Sequence, residues 1–289
     1  MDIWERLQNL DRRWYYIFLL VVISWPIVKP WGLPIKIGAE TRKFFDTVEK
    51  VPQGGTVVVD VEYRTDSVVE MNPMLSAVFQ HAMARRLKVI VWSGVDEGAI
   101  VSQSVLKPLA EKLGVTYGVD WINLGYKPGG EVTLKKMVDN FYEAAAYTDI
   151  AGDPLDEFPI MEGFDSITKA DLIVSLVNVT PSPAQSILKM IAIPKGTPLA
   201  VGVGSVAVPN EMPFFSSGHY KGLLAGLRGA AEYELLTNNP GNAIMGMDAQ
   251  SAAHILVIAL IALGNLGYFF GKRKTALGGA GTLRGGGVS

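Results

Sequence analysis

Two long apolar segments, near the two ends of the chain, constrain its architecture more than any other feature. Residues 14–35 carry one charge, Lys29, and have aromatic residues at both ends. Residues 252–274 have no formal charge before Lys272. Segments of this kind are typical of helices that span a bilayer, which would make lipid a partner. We predict transmembrane helices at 14–35 and 251–271, with a cleaved signal peptide or a buried core helix as alternatives for the first.

The distribution of Lys and Arg predicts the orientation in the membrane. Residues 232–251 contain neither, whereas Lys272, Arg273 and Lys274 follow the second segment. Because basic residues stay on the cytoplasmic side, the second helix should lead into the cytoplasm. With two spans, the chain before the first helix should also be cytoplasmic. The predicted organisation in the cell membrane is a cytoplasmic N-terminus (1–13), helix 14–35, an extracytoplasmic domain (36–250), helix 251–271 and a glycine-rich cytoplasmic tail (272–289).

Composition and motif content argue against several functional classes. The net charge of −2 provides no basic surface of the kind that nucleic-acid binders use, so no nucleic-acid partner is expected. The lack of cysteine rules out disulfides, thiolate metal sites and cysteine nucleophiles. The three histidines are far apart in the sequence and form no ligand motif. No cofactor is expected.

The segment between the apolar helices alternates strand-like and helix-like patterns. β-Branched, continuously apolar runs occur at 56–63, 87–94, 172–177 and 198–204, and "VDWINL" (119–124) is a further candidate. Helical patterns separate these runs. Continuous apolar strands separated by helices favour an α/β fold with a mainly parallel sheet, doubly wound and Rossmann-like, with helices on both faces.

Ligands of open parallel sheets bind beyond the carboxyl ends of the strands. Several polar or glycine residues follow the predicted strands and are candidates for ligand binding, unless they only form a solvated sheet edge. They are Asp60, Glu62, Arg64, Lys127, Gly129, Gly130 and Asn178.

The loop "NLGYKPGGE" (123–131) has two interpretations. Gly129 and Gly130 can place successive N–H groups towards an anion, with Lys127 adding positive charge. The simpler interpretation is a Pro-Gly turn that leads into a helix over 131–149. The order of residues does not match a P-loop.

Two Ser-x-x-Lys motifs suggest a nucleophile and a base, but they do not define a catalytic site. Ser104 precedes Lys107, and Ser186 precedes Lys189, each by one helical turn. The spacing arises easily by chance, and both copies belong to a short repeated pattern, "IVWSG…QSVLK" and "IVSLV…QSILK". We therefore predict no catalytic residue.

An acidic loop at 149–157 is a candidate cation site. Asp149, Asp153 and Asp156 lie close together in the sequence, and hard cations take oxygen ligands of this type. The spacing is not that of an EF-hand. A solvated acidic loop is the alternative interpretation.

Small residues recur at helical spacing within 214–236, which predicts a helix with one nearly bare face. That face should pack closely, either within the domain or against another subunit. Its members are Gly222, Ala225, Gly226, Gly229 and Ala230. Ser217 and His219 would then precede this helix at its N-terminus, where anions are favoured.

Two stretches, "NLGYKPGG" and "SGHYKGLLAGLRGAAEYELL", resemble an uncharacterised family of prokaryotic membrane-anchored proteins. The resemblance extends over most of residues 40–237. It implies one ancestral domain and no catalytic residues. Together with the patterns above, it favours a membrane-anchored scaffold or ligand-binding protein that forms a homo-oligomer, with another membrane protein as a further candidate partner. A membrane-anchored hydrolase that uses the strand ends is the alternative.

The orientation can be tested by labelling, since the chain has no cysteine of its own. Single cysteines at positions 5 and 285 should resist a membrane-impermeant thiol reagent in intact cells. Protease added outside should cut within residues 36–250. If both end positions were labelled from outside, the predicted orientation would be wrong.

Overall fold

A parallel sheet of six strands organises the central part of the chain. The computed structural model describes residues 11–281, which divide into two compact units, Pro34–Ile244 and the residues that flank it. The strands are β1 (Thr56–Glu62), β2 (Lys88–Ser93), β3 (Trp121–Tyr126), β4 (Leu172–Val177), β5 (Leu199–Val203) and β6 (Leu223–Ala225). Their order in the sheet is β3-β2-β1-β4-β5-β6. This arrangement confirms the predicted α/β class with a parallel sheet.

Helices connect successive strands. The α-helices are α1 (Arg12–Val28), α2 (Ala39–Glu49), α3 (Val68–Ala84), α4 (Asp96–Leu113), α5 (Glu131–Asp139), α6 (Phe141–Ala144), α7 (Pro183–Ile187), α8 (Ile193–Lys195), α9 (Val208–Ser216), α10 (Gly226–Leu236) and α11 (Asn242–Gly281). A π-helical turn, Leu188–Ala192, joins α7 to α8. Short 3-10 turns occur at Thr65–Ser67, Leu155–Glu157, Pro159–Met161 and Ile167–Lys169.

Burial explains why the central strands lack an alternating pattern. Every residue of β4 and β5 is buried, and β1 is buried apart from its first residue. Both faces of these strands are covered, so both faces carry apolar side chains. The chain passes from one side of β1 to the other between β3 and β4, which makes the crevice between β1 and β4 the topological switch point of the sheet.

The helix predicted over 214–236 is wrong, because the chain forms a strand in the middle of this stretch. Leu223–Ala225 is β6, which pairs with β5, and the helix begins only at Gly226. Gly226 has a φ of +59°, a left-handed conformation that suits glycine and turns the strand into α10. Pairing along the sheet edge therefore overrides the helical spacing of the small residues.

The small residues nevertheless pack closely inside the domain. A Cβ at Gly222 would lie 2.1 Å from the Cα of Phe44, on α2. One at Gly229 would lie 2.9 Å from the backbone of Leu224. Gly222 thus precedes β6, Ala225 belongs to β6, and only Gly226, Gly229 and Ala230 are on α10. Their packing partners within the domain account for the small side chains without a second subunit.

The two apolar segments differ in how well they match a spanning helix. Within residues 11–281, only Asn242–Leu266 of α11 is long and apolar enough to cross a membrane, which is a criterion of length and composition alone. The first segment forms the shorter helix α1, with Pro26 inside it, and residues from Lys29 onward are not helical. The prediction of a spanning helix at 14–35 is therefore not supported.

The structure also differs from the prediction of a glycine-rich tail at 272–289. Helix α11 continues to Gly281, so the part of 272–289 that the structure describes is helical. The predictions for 1–10 and 282–289 lie outside the described residues.

A substitution at Gly222 tests the close packing. Gly222→Ala places a methyl group against the Phe44 backbone, and overpacking of this kind typically costs about 1–3 kcal/mol. The melting temperature should fall by roughly 2–4 °C for each kcal/mol in a domain of this size. Gly264→Ala is the control, because a Cβ there meets nothing within 4 Å. Equal melting of both variants and the wild type, by calorimetry, would contradict the packing.

Candidate functional site

Two carboxyl side chains lie on one face of β1 at the switch point. Alternate residues of a strand face the same side, so Asp60 and Glu62 follow Val58 on the face that packs against the main core cluster. Asp60 is 0% exposed and Glu62 is 2% exposed. In the sheet register Asp60 lies opposite Trp92 of β2 and Ser175 of β4. We call Asp60 and Glu62 the carboxyl pair.

Hydrogen bonds hold both members of the carboxyl pair in place. The Ser175 hydroxyl donates to Asp60 Oδ2 at 2.6 Å, and the backbone N–H of Gly94 donates to Glu62 Oε1. The other oxygen of Asp60, Oδ1, is buried and has no hydrogen-bond partner among the described residues. Because Glu62 lies two residues away on the same face of β1, its charge acts on Asp60 and favours protonation of one of the two groups.

Burial determines which carboxyl group is protonated. Removal from water raises the pKa of Asp60 well above its usual range, and the neighbouring negative charge of Glu62 raises it further. Burial also raises the pKa of Glu62, while the hydrogen bond from the Gly94 N–H opposes that shift. Asp60 is therefore the member that carries the proton, and Glu62 is the member that ionises first.

Glu62 of the carboxyl pair lines a cavity of about 470 Å3 at the carboxyl ends of β1 and β4. We call it the rim cavity. Its lining includes Glu62, Arg64, Trp92, Gly94, Gly130, Glu131, Leu134, Ser182, Ser186 and Ile187. The Ser186 hydroxyl donates to Glu131 Oε1 at 3.0 Å and so links α7 to α5 at this cavity. A volume of this size accommodates a small molecule.

The rim cavity collects only some of the residues that the sequence singled out. Glu62, Arg64 and Gly130 line it, whereas Asp60 is not part of the lining. Asn178 contacts the pair only through its backbone, whose N–H donates to the Glu62 carbonyl at 2.9 Å. Lys127 is absent from the lining.

Lys127 serves the loop in which it lies. Its side chain is 7% exposed, and its Nζ donates to the Thr148 carbonyl at 3.1 Å. Burial lowers the pKa of Lys127, and the charge of Asp149 opposes this shift. The lysine therefore ties β3 to the chain near residue 148, at the sheet edge, and does not face an anion at the switch point.

Gly129 and Gly130 form the turn that starts α5. Both have positive φ, and the Thr133 hydroxyl donates to the Pro128 carbonyl within the same loop. The N–H groups of Val132 and Leu134 donate to the Gly129 and Gly130 carbonyls. The loop "NLGYKPGGE" is thus the end of β3 and a turn held by contacts within the loop, which agrees with the turn of the simpler interpretation. The helix predicted over 131–149 is shorter, because α5 ends at Asp139 and α6 spans Phe141–Ala144.

Ser217 and His219 lie at the opposite edge of the sheet. They follow α9 and do not precede a helix, so the predicted anion site at a helix N-terminus is wrong. The Ser217 hydroxyl and His219 Nδ1 are 2.6 Å apart. The cavity of about 500 Å3 at this amino-end edge is lined by exposed groups such as Lys43, Asp46 and Lys221, with no carboxyl pair beneath them.

The acidic loop does not assemble a cation site. Asp149 Oδ1 accepts the N–H groups of Ala151 and Asp153, and Oδ2 accepts the Tyr117 hydroxyl at 2.7 Å. Across residues 11–281 no group of three His, Cys, Asp or Glu side chains is placed to hold a metal ion. Asp149, Asp153 and Asp156 therefore do not form the predicted set of metal ligands, because Asp149 accepts the hydrogen bonds of a turn.

The serines of the two Ser-x-x-Lys motifs donate hydrogen bonds to groups other than the lysines. Ser104 donates to the Val101 carbonyl at 2.8 Å, which is an ordinary helix contact. Ser186 donates to Glu131, as described above. Neither hydroxyl has a lysine among its hydrogen-bond partners in the described part of the chain.

Sequence reasoning did not single out Trp92 and Gly94, which line the rim cavity, or Ser175, which donates to Asp60. Trp92 and Ser175 belong to predicted strands in which the other residues are mostly apolar. Parallel register brings them beside Asp60 and Glu62, which no pattern within one strand reveals. The serine inside "LIVSLV" was the one available signal, because a polar residue in a buried strand needs a partner.

No protein-family model, curated protein or solved structure matches this chain. The fold and the rim cavity are therefore the basis for functional inference.

The carboxyl pair predicts a particular pH dependence of stability. Because burial raises the pKa of Asp60 in the folded state, the folded chain binds more protons than the unfolded chain above about pH 4, the ordinary value of an aspartic acid. The free energy of unfolding should fall as the pH rises through this interval. Asp60→Asn keeps the hydrogen-bond geometry of the protonated acid, so its stability should fall less over the same interval.

Thermal melting at a series of pH values measures this effect. Asp46→Asn is the control, because Asp46 is exposed and should leave the wild-type slope unchanged. An Asp60→Asn variant with the same slope as the wild type would show that Asp60 is not protonated in the folded state.

Proposed function

We propose that this protein is a membrane-anchored α/β protein whose extracytoplasmic domain binds a small ligand in the rim cavity. The carboxyl pair at the switch point carries this proposal. Open parallel sheets bind ligands in the crevice where the strand order reverses, and here that crevice contains buried ionisable groups. Buried carboxyl groups reduce stability unless they are compensated, so their position above a cavity favours a functional role.

The rim cavity differs from a dinucleotide site. Such sites place a glycine-rich turn and a helix N-terminus after the first strand, where the pyrophosphate binds. The connection after β1, residues 63–67, contains no glycine, and Glu62 lies at its start. A carboxylate at this position disfavours a phosphate, which supports a ligand that is not an anion.

The apolar helices support attachment to a membrane. Large apolar side chains of α11 are exposed, including Ile255, Ile258 and Ile261. Asp248, the one acidic residue of α11, accepts the N–H groups of Trp31, Gly32 and Leu33 at 2.7–3.2 Å. This contact ties the residues after α1 to α11, which favours an uncleaved first segment that is retained with α11 as an anchor.

The apolar helices of the membrane anchor are the proposed site of contact between copies of this chain. The small residues near β6 pack inside the domain, so they do not supply a subunit contact. The exposed apolar side chains of α11 can contact lipid, a second copy of the chain or another membrane protein. We propose a homo-oligomer whose contacts involve these helices.

The alternative of a hydrolase has one observation in its favour. A protonated Asp60 behind an ionisable Glu62 is an arrangement that can take up and release a proton, as general acid–base catalysis requires. Binding without turnover of the bound compounds would favour the binding protein.

A cavity-blocking variant tests ligand binding. The full chain in lipid nanodiscs should bind members of a fluorinated fragment library, detected by broadening of their 19F signals. Ser186→Trp fills the rim cavity and should abolish binding of those fragments. Ser104→Trp is the matched control, since Ser104 is exposed on α4 at the corresponding place in the repeated pattern. Equal binding to both variants would place the ligand site elsewhere.

A further inference from the structure

The carboxyl pair holds a negative charge that no cation of the described chain neutralises. With Asp60 protonated, the ionised Glu62 gives the pair one negative charge. Their hydrogen-bond partners among the described residues are the Ser175 hydroxyl and the Gly94 N–H. The ion pairs formed by the described residues involve neither of them. A carboxylate buried to this extent normally pairs with a cation.

The charges around the rim cavity also favour a positively charged ligand. Glu62 and Glu131 contribute two carboxylates to the lining, the second from α5. Among the described residues that line the cavity, Arg64 is the one basic residue, and its side chain is exposed. The two carboxylates outnumber the arginine, which favours ammonium groups over phosphates or carboxylates.

A separate observation indicates that a ligand contacts the cavity wall. Trp92 is 3% exposed and lines the rim cavity, yet its indole Nε1 has no hydrogen-bond partner among the described residues. The hydroxyl of Ser182, also in the lining, is likewise without a partner there. Buried donors are normally satisfied, so these groups point to a ligand that carries a hydrogen-bond acceptor.

We propose that the rim cavity binds a small organic amine in its ammonium form, with the ammonium group donating to Glu62. This inference rests on the proposed ligand-binding function and specifies its ligand class. Asp60, two residues earlier on the same face of β1, stays neutral and leaves the negative charge on Glu62. An acceptor on the same ligand, such as a hydroxyl or carbonyl oxygen, would take the indole N–H of Trp92.

Two fluorinated probes of nearly equal shape test the ammonium requirement. They are 4-fluorobenzylamine, which is a cation at neutral pH, and 4-fluorobenzyl alcohol, which is neutral. Binding to the full chain in nanodiscs is measured by 19F line broadening. We expect the amine to bind more tightly than the alcohol by roughly tenfold to a hundredfold, the factor typical of a hydrogen bond to a charged group.

A pair of identical substitutions locates the ammonium site. Glu62→Gln should weaken binding of the amine by roughly tenfold or more and leave the alcohol unchanged. Glu131→Gln, at the same cavity but with an exposed side chain, should weaken it far less. Melting of both variants shows whether each is folded.

The wild type alone provides a second readout. Burial raises the pKa of Glu62, and ammonium binding requires the ionised carboxylate, so affinity should fall as the pH is lowered through that pKa. Asp60 beside it and Arg64 and Glu131 in the lining are the other charged groups that face the site, and Glu131→Gln should keep the pH dependence.

The outcomes separate the two proposals. Equal affinity for amine and alcohol, or amine affinity that changes neither with pH nor in Glu62→Gln, would overturn the ammonium site. If other fragments still bound in the rim cavity, the proposed binding function would stand with a different ligand class. If Ser186→Trp affected no fragment, both proposals would fail.

Discussion

The parallel sheet imposes the main constraint on this structure, because such a sheet must be covered on both faces. Its inner strands β4 and β5 are buried throughout, and helices occupy the connections between the strands. Parallel pairing also places all carboxyl ends of the strands at one edge. The loops after β1 and β4 therefore meet, and the rim cavity lies between them. The site is thus a consequence of strand order.

The carboxyl pair places two ionisable groups on a buried strand, where their charge must be compensated. Asp60 is fully buried on β1, and its Oδ2 accepts a hydrogen bond from the Ser175 hydroxyl. Protonation of Asp60 halves the charge that must be buried, and the Gly94 N–H stabilises the ionised Glu62. What remains is a single negative charge on a residue that lines a cavity. That residual charge links the electrostatics of the fold to the proposed choice of a cationic ligand.

Helix α10 shows that acidic residues can serve the fold alone. Glu232 accepts the Gly38 N–H at the start of α2, at 2.8 Å. Glu234 accepts N–H groups of Gly241, Ala243 and Ile244 at 2.9–3.0 Å, where α11 begins. Both carboxylates satisfy donors that a helix start leaves without a partner. The acidic part of the "GLRGAAEYELL" motif therefore has a structural explanation. The carboxyl pair differs, because it borders a cavity and is the basis of the proposed ligand site.

The sequence by itself determined the fold class and the strands of the sheet interior, since continuous β-branched runs between helical patterns require burial on both faces. It also indicated Asp60, Glu62, Arg64 and Gly130, because the ends of parallel strands and the loops after them share one edge. Only the tertiary structure decided which candidates meet. Pairing with β5 makes Leu223–Ala225 a strand, and Asp149 Oδ1 accepts hydrogen bonds within a turn. Register brought Trp92 and Ser175 beside Asp60. These outcomes depend on contacts between residues far apart in the chain, which local spacing does not encode.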